Sequence, residues 1–221
     1  MNIRLKTQRA TRKGTMRHIF IFLLFIFFQN LAFSLEKTTE INFEKIPYKK
    51  SIKDSILAGD VFSESKVNDF EKDGKKFQSL NFSIAGLHKK SCSYALKTLS
   101  QYEKFNKFVS FVEESEYDEK KQEIYFRLSH LLLPYDMLLI FNLPRINSPG
   151  SYPFKFEIGF LKGLQGTIHV INHHNRCLFY SEAKWSGPDT GLNALIFEVF
   201  SQALTKLSME TLFRISSTLS H

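Results

Sequence analysis

Apolar and polar side chains alternate in the second half of the chain, where aromatic residues are concentrated. The apolar members of one such run are Phe154, Phe156, Ile158 and Phe160. A period of two is typical of a strand with one buried face. The pattern predicts strands near 152–160, 164–171 and 177–185, with a hairpin turn at 173–175.

A different period begins after residue 191. Apolar side chains recur there at intervals of three and four residues, at Leu195, Ile196, Val199, Phe200, Ala203, Leu207, Leu212 and Ile215. This spacing predicts one long helix over 192–217 with an apolar stripe. We expect the middle of the stripe, at Val199 and Ala203, to leave room for a ligand because those side chains are small.

Upstream of these elements the same two periods predict a mixed region. In chain order they indicate a strand at 77–85, helices at 88–101 and 104–111, and strands at 113–118, 122–130 and 135–143. Residues 35–76 are polar and charge-rich, and we interpret them as a loosely attached leader with an edge strand, including a short strand with turns at 56–67.

This order predicts an α+β fold. Strands joined by short turns pair antiparallel, and a single long helix must bury its stripe against a sheet. We expect a curved antiparallel sheet of about six or seven strands wrapped around the C-terminal helix, with two short helices after the first strand. Such an arrangement encloses a cavity.

The first 34 residues have the composition of a secretory signal peptide. A basic region precedes ten consecutive apolar residues at 19–28, and Ala32 and Ser34 supply the small residues of a cleavage site. The prediction is export to the periplasm or the medium. The alternative is an uncleaved N-terminal anchor, since 19–35 is just long enough for a thin bilayer.

Removing this segment lowers the net charge of the chain. It carries six of the 30 basic residues and none of the 22 acidic ones, so the remaining chain has a net charge of about +2. That balance gives no reason to expect nucleic-acid binding, which needs a clustered basic face. Cys92 and Cys177 are the two cysteines, and sequence leaves open whether they pair.

Candidate catalytic residues are few. His169, His173 and His174 lack the carboxylate or cysteine that would complete a metal site, and no serine lies in a nucleophile elbow. We therefore predict no catalytic residue, no metal and no cofactor. Arg127, with Asp136 nearby in sequence, is the candidate polar hook for a ligand.

Three segments carry a resemblance to a known family. They are the strand 77–85 with the stretch 93–117, the strand-turn-strand segment 156–167, and Trp185-Ser186-Gly187 leading into the last helix. In this order they resemble the START-like (SRPBCC) helix-grip superfamily, which includes polyketide cyclases, coenzyme Q-binding START proteins and lipid-transfer domains. The resemblance covers 77–217 and implies a START-like ligand-binding domain over 77–221 with a cavity for an apolar molecule.

The residues expected to line this cavity are Phe126, Leu128, Phe141, Phe154, Phe156, Ile158, Trp185, Val199 and Ala203. Trp185 has a second interpretation as a core plug at the base of the helix. The main functional hypothesis is an exported binder of a lipid or other apolar small molecule, extending to lipid transfer with transient membrane contact. The alternatives are an aromatase/cyclase-like enzyme and an envelope interaction module whose cavity is filled.

Overall fold

A computed structural model describes residues 42–129 and 136–218. The signal-peptide prediction and the first residues of the leader lie outside these ranges, as does the start of the strand expected at 135. Within them the chain forms one antiparallel sheet, with strands β1 (Phe62–Lys72), β2 (Lys75–His88), β3 (Val112–Asp118), β4 (Glu123–Leu128), β5 (Met137–Asn142), β6 (Gly150–Ile158), β7 (Gln165–His173) and β8 (Arg176–Pro188). Their order across the sheet is β1-β2-β8-β7-β6-β5-β4-β3.

The helices complete the predicted architecture. They are α1 (Lys50–Ala58), α2 (Cys92–Leu99), α3 (Phe105–Phe108) and the long α4 (Ala194–Thr218), with short 3-10 turns at Phe43–Lys45 and Tyr102–Lys104. The α+β helix-grip fold is therefore confirmed. The sheet has eight strands in the described residues rather than six or seven, because β1 precedes the strand that was expected to be first.

The strand predicted at 56–67 is wrong in its first part. Residues 50–58 form α1, and Ile52 and Ile56 lie one helical turn apart, so that Ile56 is fully buried. Gly59 ends the helix with a φ of 109°, a left-handed conformation that glycine adopts without a steric penalty. Polar residues surround these two isoleucines, so the sequence analysis did not recognise this short amphipathic helix.

Two tight hairpins are set by local backbone conformation. Asp73 and Gly74 have φ values of 53° and 69°, and His174 and Asn175 have values of 45° and 62°. Positive φ at both central residues is the requirement of a type I′ turn, whose twist matches that of the flanking strands. The turn predicted at 173–175 is confirmed by the second pair.

The sheet is covered on both faces near β2. On the inner face, Leu80 and Ile84 belong to the side that α4 and the cavity occupy, while Ala85 and Leu87 point to the outer face. The outer face is covered by the segment 43–58 through buried side chains such as Phe43. Residues 43–76, interpreted from sequence as a loose leader, thus pack on the sheet and contribute its edge strand.

The long helix closes the open edge of β1. The backbone N–H of Val67 donates to Glu198 Oε2 at 3.1 Å, and the carbonyl of Ser65 accepts from Gln202 Nε2 at 3.2 Å. The Ser65 hydroxyl donates to the carbonyl of Glu198 at 2.9 Å. These contacts satisfy backbone groups that an edge strand otherwise exposes, and they set the rotation of α4 about its own axis.

A disulfide ties α2 to the sheet. Cys92 at the start of α2 and Cys177 on β8 are bonded, with a Cα–Cα distance of 4.6 Å. This settles the pairing that sequence left open. By the chain-entropy model, a crosslink between residues 85 positions apart contributes about 4.6 kcal/mol, and disulfides typically contribute about 2–4 kcal/mol. No helix in the described ranges is both long and apolar enough to cross a membrane.

Candidate ligand-binding site

An apolar cavity lies between α4 and the inner face of the sheet. It consists of two adjoining chambers of about 360 and 300 Å³. The first chamber lies beside α2 and β8, where Leu99 and Phe179 line it; the second lies beside α3 and β5, where Val109 and Met137 line it. These volumes fall in the range of small-molecule sites.

The wall shared by the two chambers is largely aromatic. Its members are Phe82, Phe105, Phe126, Phe141, Phe154, Phe156, Thr205, Ser208 and Leu212. The rings pack on one another: Phe141 and Phe156 stack with centroids 4.7 Å apart, and Phe126 lies 5.6 Å from Phe141. Because strand side chains alternate in direction, Phe154 and Phe156 of β6 lie on the same face, which also carries Phe126 of β4 and Phe141 of β5.

The lining contains no charged side chain among the described residues. Two tyrosines belong to it, Tyr180 and Tyr102. The Tyr180 hydroxyl donates to Glu182 Oε2 at 3.0 Å. The Tyr102 hydroxyl donates to the carbonyl of Pro144 at 3.2 Å and accepts from the N–H of Ile146 at 3.1 Å. Burial raises the pKa of the Tyr102 phenol. Tyr102 is therefore a satisfied structural group that stays neutral, and the lining holds no acid–base pair.

Five of the residues predicted to line a cavity do so. Phe126, Phe141, Phe154 and Phe156 face both chambers, and Leu128 faces the second. Sequence reasoning missed the contributions of Phe82 on β2 and Phe105 on α3. Phe82 belonged to a predicted apolar strand face, so its alternation with Leu80 and Ile84 was the available signal.

Ile158 was expected in the cavity, but the structure places it outside. It is 49% exposed and lines neither chamber. Phe141 pairs with Phe156, whereas the preceding residue, Ile140, pairs with Ile158, so β6 carries one extra residue in its pairing with β5. Such a bulge interrupts the alternation, and Ile158 no longer shares the inward direction of Phe156.

The ligand-facing positions predicted on α4 are also wrong. Val199 is 58% exposed and Ala203 is exposed, whereas the face toward the cavity carries small hydroxyl residues and larger apolar ones. This face consists of Phe197, Phe200, Ser201, Leu204, Thr205, Ser208 and Leu212. The helix is rotated because Ser201 and Thr205 hydrogen-bond to serines of β1, at 3.0 and 3.1 Å.

Trp185 is placed as a core plug. It is 5% exposed, its indole N–H donates to the carbonyl of Lys162 at 3.0 Å, and its ring lies 6.0 Å from that of Phe197. It lines neither chamber. Of the two interpretations of this residue, the structure supports packing at the base of α4.

Arg127 does not reach the cavity. Its guanidinium lies on the opposite face of the sheet and bonds Glu114, with Nη2 2.5 Å from Oε1. That hydrogen bond raises the pKa of Arg127. Ile124, Phe126 and Leu128 are the residues of β4 that face the chambers, and Arg127 alternates with them. The prediction of a polar hook is therefore wrong. Asp136 is exposed and lines neither chamber.

The histidines considered as metal ligands have other surroundings. His169 is bonded through Nδ1 to the Ser151 hydroxyl at 2.8 Å and stacks on Tyr180, and burial lowers its pKa. His174 lies in the β7–β8 turn. In the described part of the chain, no three histidine, cysteine or carboxylate side chains gather into a metal-binding group.

Solved structures define the class of this fold. A START superfamily protein from Mycobacterium smegmatis matches with a TM-score of 0.52 and 6% identity, over 63% of this chain and 99% of that chain. The Zhui aromatase/cyclase from a Streptomyces species matches with a TM-score of 0.51 and 7% identity, over 63% and 94%. A conserved protein from Geobacillus kaustophilus matches with a TM-score of 0.53 and 12% identity, over 64% and 97%.

The chain therefore has the START-like helix-grip fold, as its sequence resemblance implied. At these identities the likeness is one of fold alone. No protein-family model matches the sequence, and no curated protein matches it either. More than a third of the chain lies outside the matched regions of these neighbours, whose own chains are covered almost completely.

Proposed function

We propose that this protein binds an apolar small molecule, such as a lipid, in the cavity between α4 and the sheet. The observation that carries the proposal is the uncharged, aromatic lining of the two chambers. Each methylene group moved from water into such a space contributes about 0.8 kcal/mol. Burial alone thus supplies affinity for a ligand with little polar character.

Extraction of the purified full chain tests the proposal. Mass spectrometry of an organic extract is expected to show a stoichiometric apolar compound, and a neutral fluorescent probe such as Nile red is expected to bind the emptied protein. If the protein carries no such compound and the probe shows no saturable binding, the proposal is wrong.

The aromatase/cyclase alternative is less well supported. An enzyme of that kind needs inward polar groups to position a polar substrate, and Arg127, the candidate for that role, lies on the other face. The interaction-module alternative requires a filled cavity, whereas the chambers together leave several hundred Å³ open. Both points favour binding of an apolar ligand.

We further propose that the protein is exported. The basic and apolar N-terminal segment supports export, and the Cys92–Cys177 bond supports residence in an oxidising compartment. Mass analysis of the protein from envelope and medium fractions tests this proposal. A chain that begins after residue 34 is expected, and a chain with its original N-terminus in the cytoplasmic fraction would contradict it.

Transient membrane contact and lipid transfer form the finer part of the proposal. The outward face of α4 exposes Leu195, Ile196 and Val199, while Phe200 on the same turn lines the second chamber. An apolar surface beside an apolar cavity supports exchange of ligand at a lipid surface. Flotation with phospholipid vesicles is expected to recover the protein. A Val199→Glu variant is expected to be recovered in a smaller amount. Equal recovery of the two proteins would argue against contact through α4.

A further inference from the structure

One polar side chain in the first chamber has no hydrogen-bond partner among the described residues. Ser181 lies on β8, is 8% exposed and lines this chamber. Its neighbours in register on the adjacent strands are Ile84 and Ile168, which offer no polar side chain. A hydroxyl that faces an apolar chamber without a protein partner has its hydrogen-bonding capacity left for whatever occupies the chamber.

A second hydroxyl lines the chamber on the helix side, and it can only accept a hydrogen bond from a ligand. Ser208 on α4 lines both chambers, and its hydroxyl donates to the carbonyl of Leu204 at 2.6 Å. A serine hydroxyl has one hydrogen and two lone pairs. Since the hydrogen is committed to the helix backbone, Ser208 offers only an acceptor to a ligand.

The hydroxyl of Thr205, which lies nearby on the same helix, already has hydrogen-bond partners for both its hydrogen and its oxygen. Thr205 donates to the carbonyl of Ser201 at 2.6 Å, and its oxygen lies 3.1 Å from the Ser63 hydroxyl. Its remaining capacity is therefore small. Among the described residues that line the first chamber, Ser181 on β8 and Ser208 on α4 carry small hydroxyl groups with hydrogen-bonding capacity left for a ligand.

We propose that the cavity selects a neutral apolar molecule that carries a hydroxyl group. Such a group both donates, which Ser208 requires, and accepts, which allows Ser181 to use its hydrogen. A carboxylate of the same skeleton is disfavoured because no cation lines the chambers to offset its desolvation. A hydrocarbon leaves the Ser181 hydroxyl without a partner and makes no use of the acceptor that Ser208 offers. This inference rests on the proposed binding function and specifies its ligand class.

Displacement of Nile red by matched compounds tests the inference. The set is 1-decanol, its isomer 1-methoxynonane, which cannot donate, and decanoate at about pH 8, where its carboxyl group is ionised. We expect the alcohol to displace the probe at about a tenfold lower concentration than either other compound, as one added hydrogen bond with good geometry implies. Equal potency of alcohol and ether, or a more potent carboxylate, would overturn the inference.

Variants assign the effect to the two serines. Ser181→Ala and Ser208→Ala are each expected to bring the alcohol within about twofold of the ether. Ser186→Ala, on the exposed face of the same strand β8, is the control and is expected to keep the full preference. A preference that survives both cavity variants would overturn the assignment. Failure of Nile red to bind at all would instead refute the proposed function, so the two failures are distinguishable.

Discussion

Glu198 on α4 accepts a hydrogen bond from the backbone N–H of Val67 on β1, with 3.1 Å between Oε2 and the nitrogen. The bond joins the edge strand of the sheet to the helix that covers the cavity. The predicted helix-grip domain begins with β2, and β1 precedes it. The position of α4 therefore depends on a strand that lies before the predicted domain. The hydroxyl pairs Ser65–Ser201 and Ser63–Thr205 extend the same contact along the helix.

Replacing this carboxylate is expected to weaken the fold. Glu198→Ala leaves the N–H of Val67 without its charged acceptor, and hydrogen bonds to charged groups contribute about 1.5–3 kcal/mol. Because the site is partly open to water, we expect a loss of about 1–2 kcal/mol in the free energy of unfolding, measured by urea denaturation. Glu210→Ala is the control: that residue contacts Lys206 at 3.9 Å on the helix surface, and equal losses would contradict a specific role for Glu198.

The disulfide is expected to contribute measurably to stability. A Cys92→Ser, Cys177→Ser double variant should lose about 2–4 kcal/mol in the free energy of unfolding, because the unfolded chain regains the freedom of the closed loop. Thermal unfolding followed by circular dichroism measures the change. A reducing agent should lower the melting temperature of the wild type and leave the double variant unaffected. If reduction shifts both proteins equally, the bond is not the cause.

Filling the cavity is expected to abolish probe binding. Ser208→Phe places a ring into the wall that both chambers share, whereas Ala203→Phe adds the same group on the exposed side of the same helix. We predict at least a tenfold loss of Nile red affinity for the first variant, corresponding to about 1.4 kcal/mol, and little change for the second. Similar affinities of the two variants, with both melting near the wild-type temperature, would place the probe elsewhere.

Stability is expected to fall as the solution becomes acidic. His88 is 1% exposed and contacts the hydroxyls of Ser216 and Ser217 near the end of α4, each at 3.0 Å from Nε2. Burial lowers the pKa of its imidazole below the usual value, so the unfolded chain takes up a proton at a higher pH than the folded one. The contribution is complete above about pH 6.5, the unfolded value, and is lost as the pH falls from there toward the lowered folded value.

Urea denaturation at about pH 7.5 and about pH 5.5, on either side of the usual histidine pKa, measures this loss. A His88→Gln variant should show a smaller difference between the two conditions. Some dependence should remain, because burial also lowers the pKa of His169. An unchanged difference in the variant would show that His88 does not contribute.

Much of the fold follows from patterns that act over a few residues. The alternation in β4 and β6 and the three-and-four spacing in α4 predicted these elements with bounds close to those observed, because side-chain direction is a local property of strands and helices. The same logic placed Phe126, Phe141 and Phe156 on one face. The bulge opposite Ile140 broke the alternation at Ile158, and that register depends on a neighbouring strand rather than on β6 itself.

The sequence by itself determined β2 to β8, the short helices α2 and α3 and the long helix α4, together with an aromatic inner face of the sheet, whereas α1 and the full length of β1 were not predicted. Only the tertiary structure decided which side of α4 faces that sheet. Their place in the apolar stripe and their small size favoured Val199 and Ala203. Hydrogen bonds between β1 and the side chains of Ser201 and Thr205, across more than 130 residues of chain, turn these two residues outward. Hydrogen bonds between segments that are distant in the chain leave no periodic pattern in the sequence. The hydroxyl groups on the cavity face of α4 could therefore be recognised only in the packed structure.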